Sequence, residues 1–256
     1  MSTKSERRKR QVKFLGEITL WACFIGVLAV ITVNIEKFRM NSPYFTVQNI
    51  ELKIDSQKLE DVAEAFVYLD LKKGTSIFKI SPGELVRSIK VRHPEVREVK
   101  VEKRLPDTLC VDVKNRIAIA QVHLTQFYPV DCEGFLLPYP SNFRLPELPC
   151  IEGIDSSELR IGEKNKNGKL TLGLKIVNLI RNHFSLIYKN IDIDVSDSRN
   201  IILYLPQGPK VRLADYKLNE KVAKLKLVLQ DIKKKNINPE FIDLRFDKAI
   251  LIPRRR

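Results

Sequence analysis

Hydrophobic and polar residues alternate with a period of two on both sides of a short turn near the middle of the chain. The turn is Leu105-Pro106-Asp107, and the alternation extends over residues 93–120. A period of two places successive side chains on opposite faces of a strand, and a Pro-Asp pair is typical of a turn. The pattern therefore predicts an antiparallel hairpin whose buried face is formed by Val99, Val101, Leu109, Val111 and Val113.

The chain upstream of this hairpin predicts one strand followed by two helices. Apolar residues alternate over residues 45–54, with a change of register in the middle, and predict the strand. Asp55 or Ser56 can cap the first helix, in which apolar residues recur at helical spacing as far as Leu69. A turn follows, in which Ile77 is expected to fill the core.

The second helix is predicted to begin at a capping box. Ser81 supplies the capping hydroxyl, Pro82 takes the first helical position, and Glu84 completes the box. The helix ends by His93, because the residue before a proline avoids the helical conformation. Together with the hairpin, these elements give the order β-α-α-β-β over residues 45–116, which is a small α+β domain.

Residues 117–256 predict a second, mixed domain that is rich in strands and contains two long helices. Glu133-Gly134 marks a tight hairpin, because glycine tolerates positive φ. The two prolines of LPELPCIEGI are expected at a sheet edge or in irregular structure. Helices are predicted over residues 169–184 and 218–235, and strands from Ala118 onward and over residues 191–195, 201–205, 211–213, 241–246 and 249–252.

Residues 14–36 are apolar enough to form a single transmembrane helix. About 20 residues, each rising about 1.5 Å, span the roughly 30 Å hydrocarbon layer of a membrane. Glu17 lies in the first helical turn, where its carboxylate can stay near the lipid headgroups. By the positive-inside rule, the N-terminus is cytoplasmic. The basic residues that set this orientation are Arg7, Arg8, Lys9, Arg10 and Lys13.

This assignment divides the N-terminal region into a basic cytoplasmic tail (1–13), the membrane helix (14–36) and a short stalk (37–44). Everything beyond the stalk is then outside the cytoplasm. A cleaved signal peptide is the alternative. A retained anchor is favoured, because the apolar run is longer than the roughly 7–15 residues of a signal peptide and no small-x-small cleavage site follows it.

The formal net charge of +14 first suggests nucleic-acid binding. A visible part of this charge lies in the two terminal clusters, Arg7–Arg10 and Arg254–Arg256. The sequence has no recognition helix, zinc-ligand spacing or aromatic-basic strand motif. Attraction to anionic membrane lipid explains the charge more simply. We therefore expect membrane lipid, and no nucleic acid, among the binding partners.

The four cysteines indicate little chemistry. Cys23 lies inside the predicted membrane helix, which leaves Cys110, Cys132 and Cys150 outside it. Three is an odd number, so these residues cannot form a complete disulfide framework. Cys132 and Cys150 can pair if their segments are neighbouring strands, but three small buried side chains are the favoured interpretation. Their spacing matches no metal site.

The sequence contains no arrangement of residues that is typical of catalysis. His93, His123 and His183 fall on separate predicted elements. There is no glycine-rich phosphate loop, and Ser156-Ser157 lacks the context of a nucleophile elbow. We therefore expect no enzymatic activity, no cofactor, no metal site and no small-molecule substrate. Protein docking is the function that the pattern favours.

The last two predicted strands are the candidate docking site. Ile242, Leu244 and Phe246 share one face of the first strand. A strand at a sheet edge offers unpaired N–H and C=O groups to a partner strand, and Arg245 can add a charge-assisted contact. A hairpin that is buried in the chain itself is the alternative for the inward side chains. The predicted partner-binding residues are Asp243, Arg245, Phe246, Lys248 and Ile250.

With these elements in order, the chain resembles the bacterial cell-division family FtsQ, which is called DivIB in Gram-positive organisms. The resemblance is carried by GTSIFKIS, by the hairpin segment HPEVREVKVEKRLPDTLCVDVKNRIAIA, and by VDCEG, LPCIEG and FIDLRF. The β-α-α-β-β order is the topology of a POTRA domain. Two positions depart from the family pattern. The family usually has proline in place of Ala118, and often an aromatic hydroxyl in place of Phe246.

The resemblance implies a POTRA domain and an FtsQ-type β domain behind a single helix in the cytoplasmic (inner) membrane, at the division septum. It implies a divisome scaffold that helps control septal peptidoglycan synthesis. The implied partners are the single-pass coiled-coil proteins FtsB (DivIC) and FtsL. In the family, the partner's segment lies along the final strands of the β domain.

Two other functions are alternatives to a divisome scaffold. POTRA domains also precede outer-membrane barrels, but such a barrel needs at least about eight strands of about 9–11 residues each. Residues 117–256 predict two helices and only short strands, which excludes a barrel. A membrane-anchored extracytoplasmic protein that binds cell-wall material or peptide, or assists secretion and assembly, stays open as the alternative.

Overall fold

The computed structural model of the protein describes residues 3–59, 61–184, 190–206 and 208–254, with side chains described from residue 20 onward. Backbone contacts divide the chain into two compact units. The first contains residues 1–92 and 98–114, and the second contains residues 93–97 and 115–256. Each unit has its own sheet, and both combine strands with helices. The predicted α+β class is confirmed.

The N-terminal region is one continuous helix, α1 (Thr3–Asn41). Within the described side chains, Leu20–Asn41 is long and apolar enough to cross a membrane. Helix α1 continues through most of the region assigned to the stalk, as far as Asn41, because no helix breaker occurs before Pro43. A short 3-10 helix, Pro43–Phe45, follows. The side chains of Arg7, Arg8, Lys9, Arg10, Lys13 and Glu17 lie outside the described part of the chain.

The sheet of the first unit has four strands in the order β2-β1-β4-β3. The two central strands, β1 and β4, are parallel. This arrangement needs a crossover between them, which the two helices supply. The strands are β1 (Asn49–Ile54), β2 (Gln57–Lys58), β3 (Val96–Arg104) and β4 (Thr108–Asn115), and the helices are α2 (Val62–Leu69) and α3 (Pro82–Arg92).

The start of α2 differs from the prediction. Asp55 and Ser56 adopt positive φ values of 49° and 70° and form a two-residue turn between β1 and β2. Two consecutive residues with positive φ are typical of tight hairpins, and they are incompatible with a helix cap at this position. The helix is instead capped by Asp61, whose carboxylate accepts the backbone N–H of Ala63 at 2.7 Å.

The predicted hairpin of β3 and β4 is confirmed. Leu109, Val111 and Val113 are buried, while Val99 and Val101 on the partner strand are half-buried. The predicted cap of α3 is confirmed as well, since the Ser81 hydroxyl accepts the backbone N–H of Glu84. Ile77 lies in the core as expected.

The second unit is built on an eight-stranded sheet with the order β12-β11-β10-β9-β8-β7-β5-β6. Two long helices, α4 (Gly168–His183) and α5 (Leu218–Lys235), accompany it. The strands are β5 (Ala118–His123), β6 (Phe127–Asp131), β7 (Cys150–Glu152), β8 (Asp192–Asp194), β9 (Ile201–Tyr204), β10 (Lys210–Leu213), β11 (Pro239–Asp243) and β12 (Ile250–Pro253).

Both helices pack on one face of this sheet. A row of buried residues crosses the strands in register and forms one core with apolar residues of α4 and α5. The row contains Ile151, Ile193, Leu203, Val211 and Ile242, and the helices add Leu170, Ile176, Val222 and Leu225. The opposite face, which we call the outer face, carries Tyr204, Lys210, Phe241 and Ile252.

Two loop predictions are confirmed. Gly134 has a φ of 81°, as expected for the tight turn after β6, and the Asp131 carboxylate supports this turn by accepting the backbone N–H of Phe135 at 2.9 Å. Pro146 and Pro149 of LPELPCIEGI both lie in irregular structure, as predicted, and the strand that follows them, β7, lies between β5 and β8. Pro149 directly precedes this strand, so its missing N–H removes nothing from the ladder.

Residues 93–97 pack with the second unit through polar contacts. The backbone carbonyl of Glu95 accepts the N–H of Arg116 at 2.7 Å, and its carboxylate accepts the Tyr139 hydroxyl at 2.8 Å. Arg97 forms an ion pair with Glu133 at 2.6 Å. A cut at residue 116, where the predicted first domain ends, would therefore remove contacts of the second unit.

The four cysteines are free thiols. Cys150 is buried on β7 as expected, and Cys110 is half-buried. Cys132 is exposed, so the expectation of three buried cysteines is wrong at this position. The turn after β6 points this side chain to solvent, which the alternation of the preceding strand does not predict.

Cys132 and Cys150 are expected to differ sharply in reactivity. Burial raises the pKa of the Cys150 thiol to about 12, so its thiolate is scarce near neutral pH. A maleimide should therefore modify Cys132 in the native protein and reach Cys150 only after denaturation, as measured by peptide mass spectrometry. A native protein in which both thiols resist modification until a reductant is added would contradict the free state of the pair.

A candidate partner-docking edge

The C-terminal hairpin of β11 and β12 forms one edge of the second unit's sheet. Ile242 and Leu244 are buried, which agrees with the predicted inward face. Phe246 does not share that face. The ladder of β11 ends at Asp243, and Phe246 lies in the following turn with 59% of its surface exposed. Both strands are shorter or shifted relative to the predicted bounds, because this turn takes up residues 244–249.

The two edges of the sheet differ in how their backbone groups are satisfied. At the β6 edge, the chain folds back on itself, with bridges between Phe127 and Ser141 and between Val130 and Leu136. The N–H of Leu137 also donates to the carbonyl of Pro129 at 2.9 Å. Residues 135–141 therefore cover this edge.

The β12 edge has no such cover in the described part of the chain. Its four residues pair with β11, and no further backbone hydrogen bond involves residues 250–253 among the described residues. Ile250 and Leu251 are 47% and 38% exposed. An uncovered strand with exposed apolar side chains is a template for another strand.

Asp243 and Arg245 form an internal pair next to this edge. Asp243 is only 4% exposed. Its carboxylate accepts Nε of Arg245 at 3.0 Å and a terminal nitrogen at 2.7 Å, while the backbone N–H of Arg245 donates to it at 3.0 Å. A second terminal nitrogen of Arg245 reaches Asn200 Oδ1 at 3.4 Å. The pair joins the turn to the end of β11 and to the loop before β9.

The charges of this pair largely satisfy each other. Burial by itself would raise the pKa of the Asp243 carboxyl, but the hydrogen bonds and positive charge of Arg245, together with the charge of Arg212, bring this pKa below its usual value. The hydrogen bond to Asp243 raises the pKa of Arg245. Arg245 is therefore paired within the hairpin, and its charge-assisted contact with a partner stays a prediction.

The five predicted docking residues are brought together in one hairpin, but they divide into two groups. Phe246, Lys248 and Ile250 expose their side chains, whereas Asp243 and Arg245 form the internal pair. The assignment of the exposed residues to partner binding stays a prediction.

Helix α5 and the loop before β9 contribute residues that the sequence did not point to. Lys224 donates to the backbone carbonyl of Asp247 in the turn. The ammonium of Lys221 lies 4.5 Å from the centre of the Tyr216 ring, and Asn200 reaches Arg245. These residues lie far from the hairpin in sequence and carry no local motif. Their role follows from packing alone.

The described residues contain no group of three or more histidine, cysteine, aspartate or glutamate side chains that could hold a metal ion. The exposed groups at the β12 edge are apolar side chains, backbone amides and flanking cations. This set of groups suits recognition of another chain.

Comparisons with known proteins indicate the same family over most of the sequence. Residues 45–116 match the family profile described as "POTRA domain, FtsQ-type", and residues 118–245 match "Cell division protein FtsQ/DivIB, C-terminal". The chain is 22% identical over 240 residues to the cell division protein FtsQ of Syntrophotalea carbinolica, covering 93% of this chain and 80% of that protein. It is 26% identical over 208 residues to the cell division protein DivIB of Clostridium botulinum, covering 78% and 73%.

Replacing Arg245 with alanine is expected to destabilise the second unit by about 1–3 kcal/mol at about pH 7, because Asp243 then keeps a buried charge without its main donor. The folded-state pKa of Asp243 is lowered. The pair therefore stabilises the fold fully above about pH 4, and this contribution is lost as the pH falls through the folded-state pKa.

Urea unfolding of the wild type and of Arg245→Ala measures the difference in their free energies of unfolding. Amide exchange in the second unit is the readout. The difference should shrink as the pH is lowered to about 3. Lys226→Ala, on the exposed side of α5, is the control for removal of a surface charge. An equal deficit at both pH values would show that the ionic pair is not its source.

Proposed function

Since the chain belongs to the FtsQ/DivIB family of cell-division proteins, we propose that it is a single-pass membrane scaffold of the divisome that docks another division protein along β12. The observation that supports this proposal is the contrast between the two sheet edges. The β6 edge is covered by the chain's own residues, whereas the β12 edge is uncovered and apolar among the described residues.

The partners that we propose are the FtsB/DivIC-like and FtsL-like single-pass coiled-coil proteins, and the output is control of septal peptidoglycan synthesis. The basic residues before the membrane helix support an orientation with the N-terminus in the cytoplasm and both folded units outside it. A partner anchored in the same membrane would meet the edge at a high effective concentration. Modest intrinsic affinity would then be sufficient.

Backbone pairing alone would give only part of that affinity. Strand β12 has four residues, and about half of its N–H and C=O groups point away from β11 in an antiparallel ladder. Each new hydrogen bond contributes about 0.5–1.5 kcal/mol. Burial of exposed apolar side chains must supply the rest, and Phe246 is the largest of those beside the edge.

We propose that the protein acts by binding and catalyses no reaction. His93 lies before β3, His123 ends β5, and His183 ends α4. His123 stacks on the Phe127 ring with the ring centroids 4.5 Å apart, which is a packing contact.

Phe246→Ala is expected to weaken binding of the coiled-coil partner by about 1–3 kcal/mol, or roughly 5- to 150-fold, because a large exposed aromatic at the docking edge would be buried in the complex. Binding to the full chain in nanodiscs can be measured by biolayer interferometry, and folding by thermal unfolding. Phe143→Ala is the matched control, since Phe143 is 82% exposed elsewhere in the same unit.

Unchanged partner affinity in Phe246→Ala, with the same melting temperature as wild type, would remove Phe246 from the interface. Recovery of glycans from membranes in place of bitopic coiled-coil proteins would favour the alternative of a cell-wall-binding protein.

We further propose that the first unit recruits the protein to the septum through α3 and β3. An exposed apolar side chain supports this assignment, because Val91 on α3 is 75% exposed. Deleting residues 45–116 is a poor test, since residues 93–97 contact the second unit through Glu95 and Arg97. Point substitutions avoid this problem.

Val91→Glu is expected to reduce septal localisation of a fluorescent fusion several-fold, because a carboxylate would have to be desolvated in the recruiting contact. Val67→Glu on α2 is the matched control, since Val67 is 78% exposed in the same unit. Both variants should retain the wild-type affinity for the coiled-coil partner. Equal septal intensity in the two variants would count against α3.

A further inference from the structure

The outer face of the sheet beside β12 carries aromatic and cationic side chains in two rows. Register places Tyr204, Lys210, Phe241 and Ile252 in one row, and Ile202, Arg212, Asp243 and Ile250 in the other. Both rows therefore end at the uncovered strand β12, where the last residue of each row is an isoleucine.

The two cationic side chains of these rows, Lys210 and Arg212, lie over the Phe241 ring. The guanidinium carbon of Arg212 lies 4.3 Å from the centre of the Phe241 ring. The ammonium of Lys210 lies 5.4 Å from the same ring and 5.5 Å from the Tyr204 ring. The side chain of Arg212 therefore extends from β10 toward the edge, and its guanidinium lies above β11.

These positive charges lack an ionic partner of their own. Among the described residues, neither Lys210 nor Arg212 has a carboxylate within ion-pair distance, and Nε of Arg212 is buried without a hydrogen-bond partner. Asp243, the carboxylate nearest to them by register, is already bonded to Arg245. Lys248 and Arg254 are exposed on either side of β12 and add further positive charge.

We propose that the segment docked on β12 is acidic on one side: an extended strand of another membrane-anchored protein with acidic side chains on the outer face and apolar side chains on the opposite face. This inference rests on the proposed docking at β12 and specifies the chemistry of the partner. A strand added at about 4.8 Å from β12 places alternate side chains beside Ile250 and Ile252. A glutamate there extends over these isoleucines toward Arg212 and Lys210.

The other face of the added strand has different surroundings. Leu251 shares its face with buried Ile242 and is partly exposed at the edge. Apolar side chains of the partner are favoured there, because they extend the core across the edge. The preferred partner pattern is therefore acidic-apolar alternation, and its register is set by the apolar residues.

A tethered strand tests both the edge and its charge preference. Strands of about six residues, alternating Glu-Val, Thr-Val or Lys-Val, are appended to the C-terminus of the full chain through a flexible Gly-Ser linker, and the protein is held in nanodiscs. Amide exchange of residues 250–252 reports pairing, since Pro253 has no backbone N–H. The Glu-Val strand is expected to protect these amides about fivefold more than the Thr-Val strand, and the Lys-Val strand less than either.

Substitutions locate the source of this preference. Lys210→Glu, at an exposed position, and Arg212→Gln should each reduce the advantage of Glu-Val over Thr-Val to less than twofold, and added salt should reduce it as well. Lys226→Glu on α5 is the control with the same change in charge, and it should leave the advantage intact.

The outcomes separate this inference from the docking proposal. Equal protection by Glu-Val and Thr-Val would overturn the acidic preference while leaving docking at β12 in place. Protection by none of the three strands would overturn docking itself. An advantage of Glu-Val that survives both substitutions would show that Lys210 and Arg212 are not its source.

Discussion

Backbone hydrogen bonding at the ends of a sheet is the constraint on which the second unit's behaviour depends. Every open sheet has two edges, and each edge presents N–H and C=O groups that need partners. This chain covers one edge with residues 135–141. It places its last strand at the other edge, where the described residues supply no cover. This asymmetry is the basis of the proposed docking along a single strand, β12.

The hairpin behind the proposed docking edge is held by contacts from several elements. The pair of Asp243 and Arg245 joins the turn to the end of β11, Asn200 adds a contact from the loop before β9, and Lys224 holds the turn from α5. Helices α4 and α5 bury the opposite face of the sheet. In the proposed docking, a partner strand would meet a preformed surface, and less conformational entropy would be lost on binding.

Charge has two separate roles around this edge. Inside the hairpin, opposite charges neutralise each other and stabilise one conformation of the turn. On the outer face, Lys210 and Arg212 lie over aromatic rings and remain without carboxylate partners among the described residues. The first arrangement maintains the fold. In the proposed docking, the second would discriminate between partners, since like charge at this face would be repelled.

Local patterns determined a large part of this structure. The period-two alternation of β3 and β4, the Ser81 cap of α3, the bounds of α5 and the glycine turn after β6 all appear as predicted, because each depends on neighbours within one element. Predictions failed where an element was overridden by its surroundings. Asp55 and Ser56 form a tight turn in place of a helix cap, and Phe246 leaves the predicted inward face because the ladder of β11 ends at Asp243.

By itself, then, the sequence determined the membrane helix, the two-part α+β organisation and the position of an apolar hairpin at the C-terminus. These features follow from hydrophobic periodicity and from the length of apolar runs, which are properties of consecutive residues. Only the tertiary structure decided that Arg245 is paired internally, that Phe246 is exposed, and that Lys210 and Arg212 lie beside the open edge. Such relations join residues that are distant in sequence, and they depend on strand order and register, which no local pattern specifies.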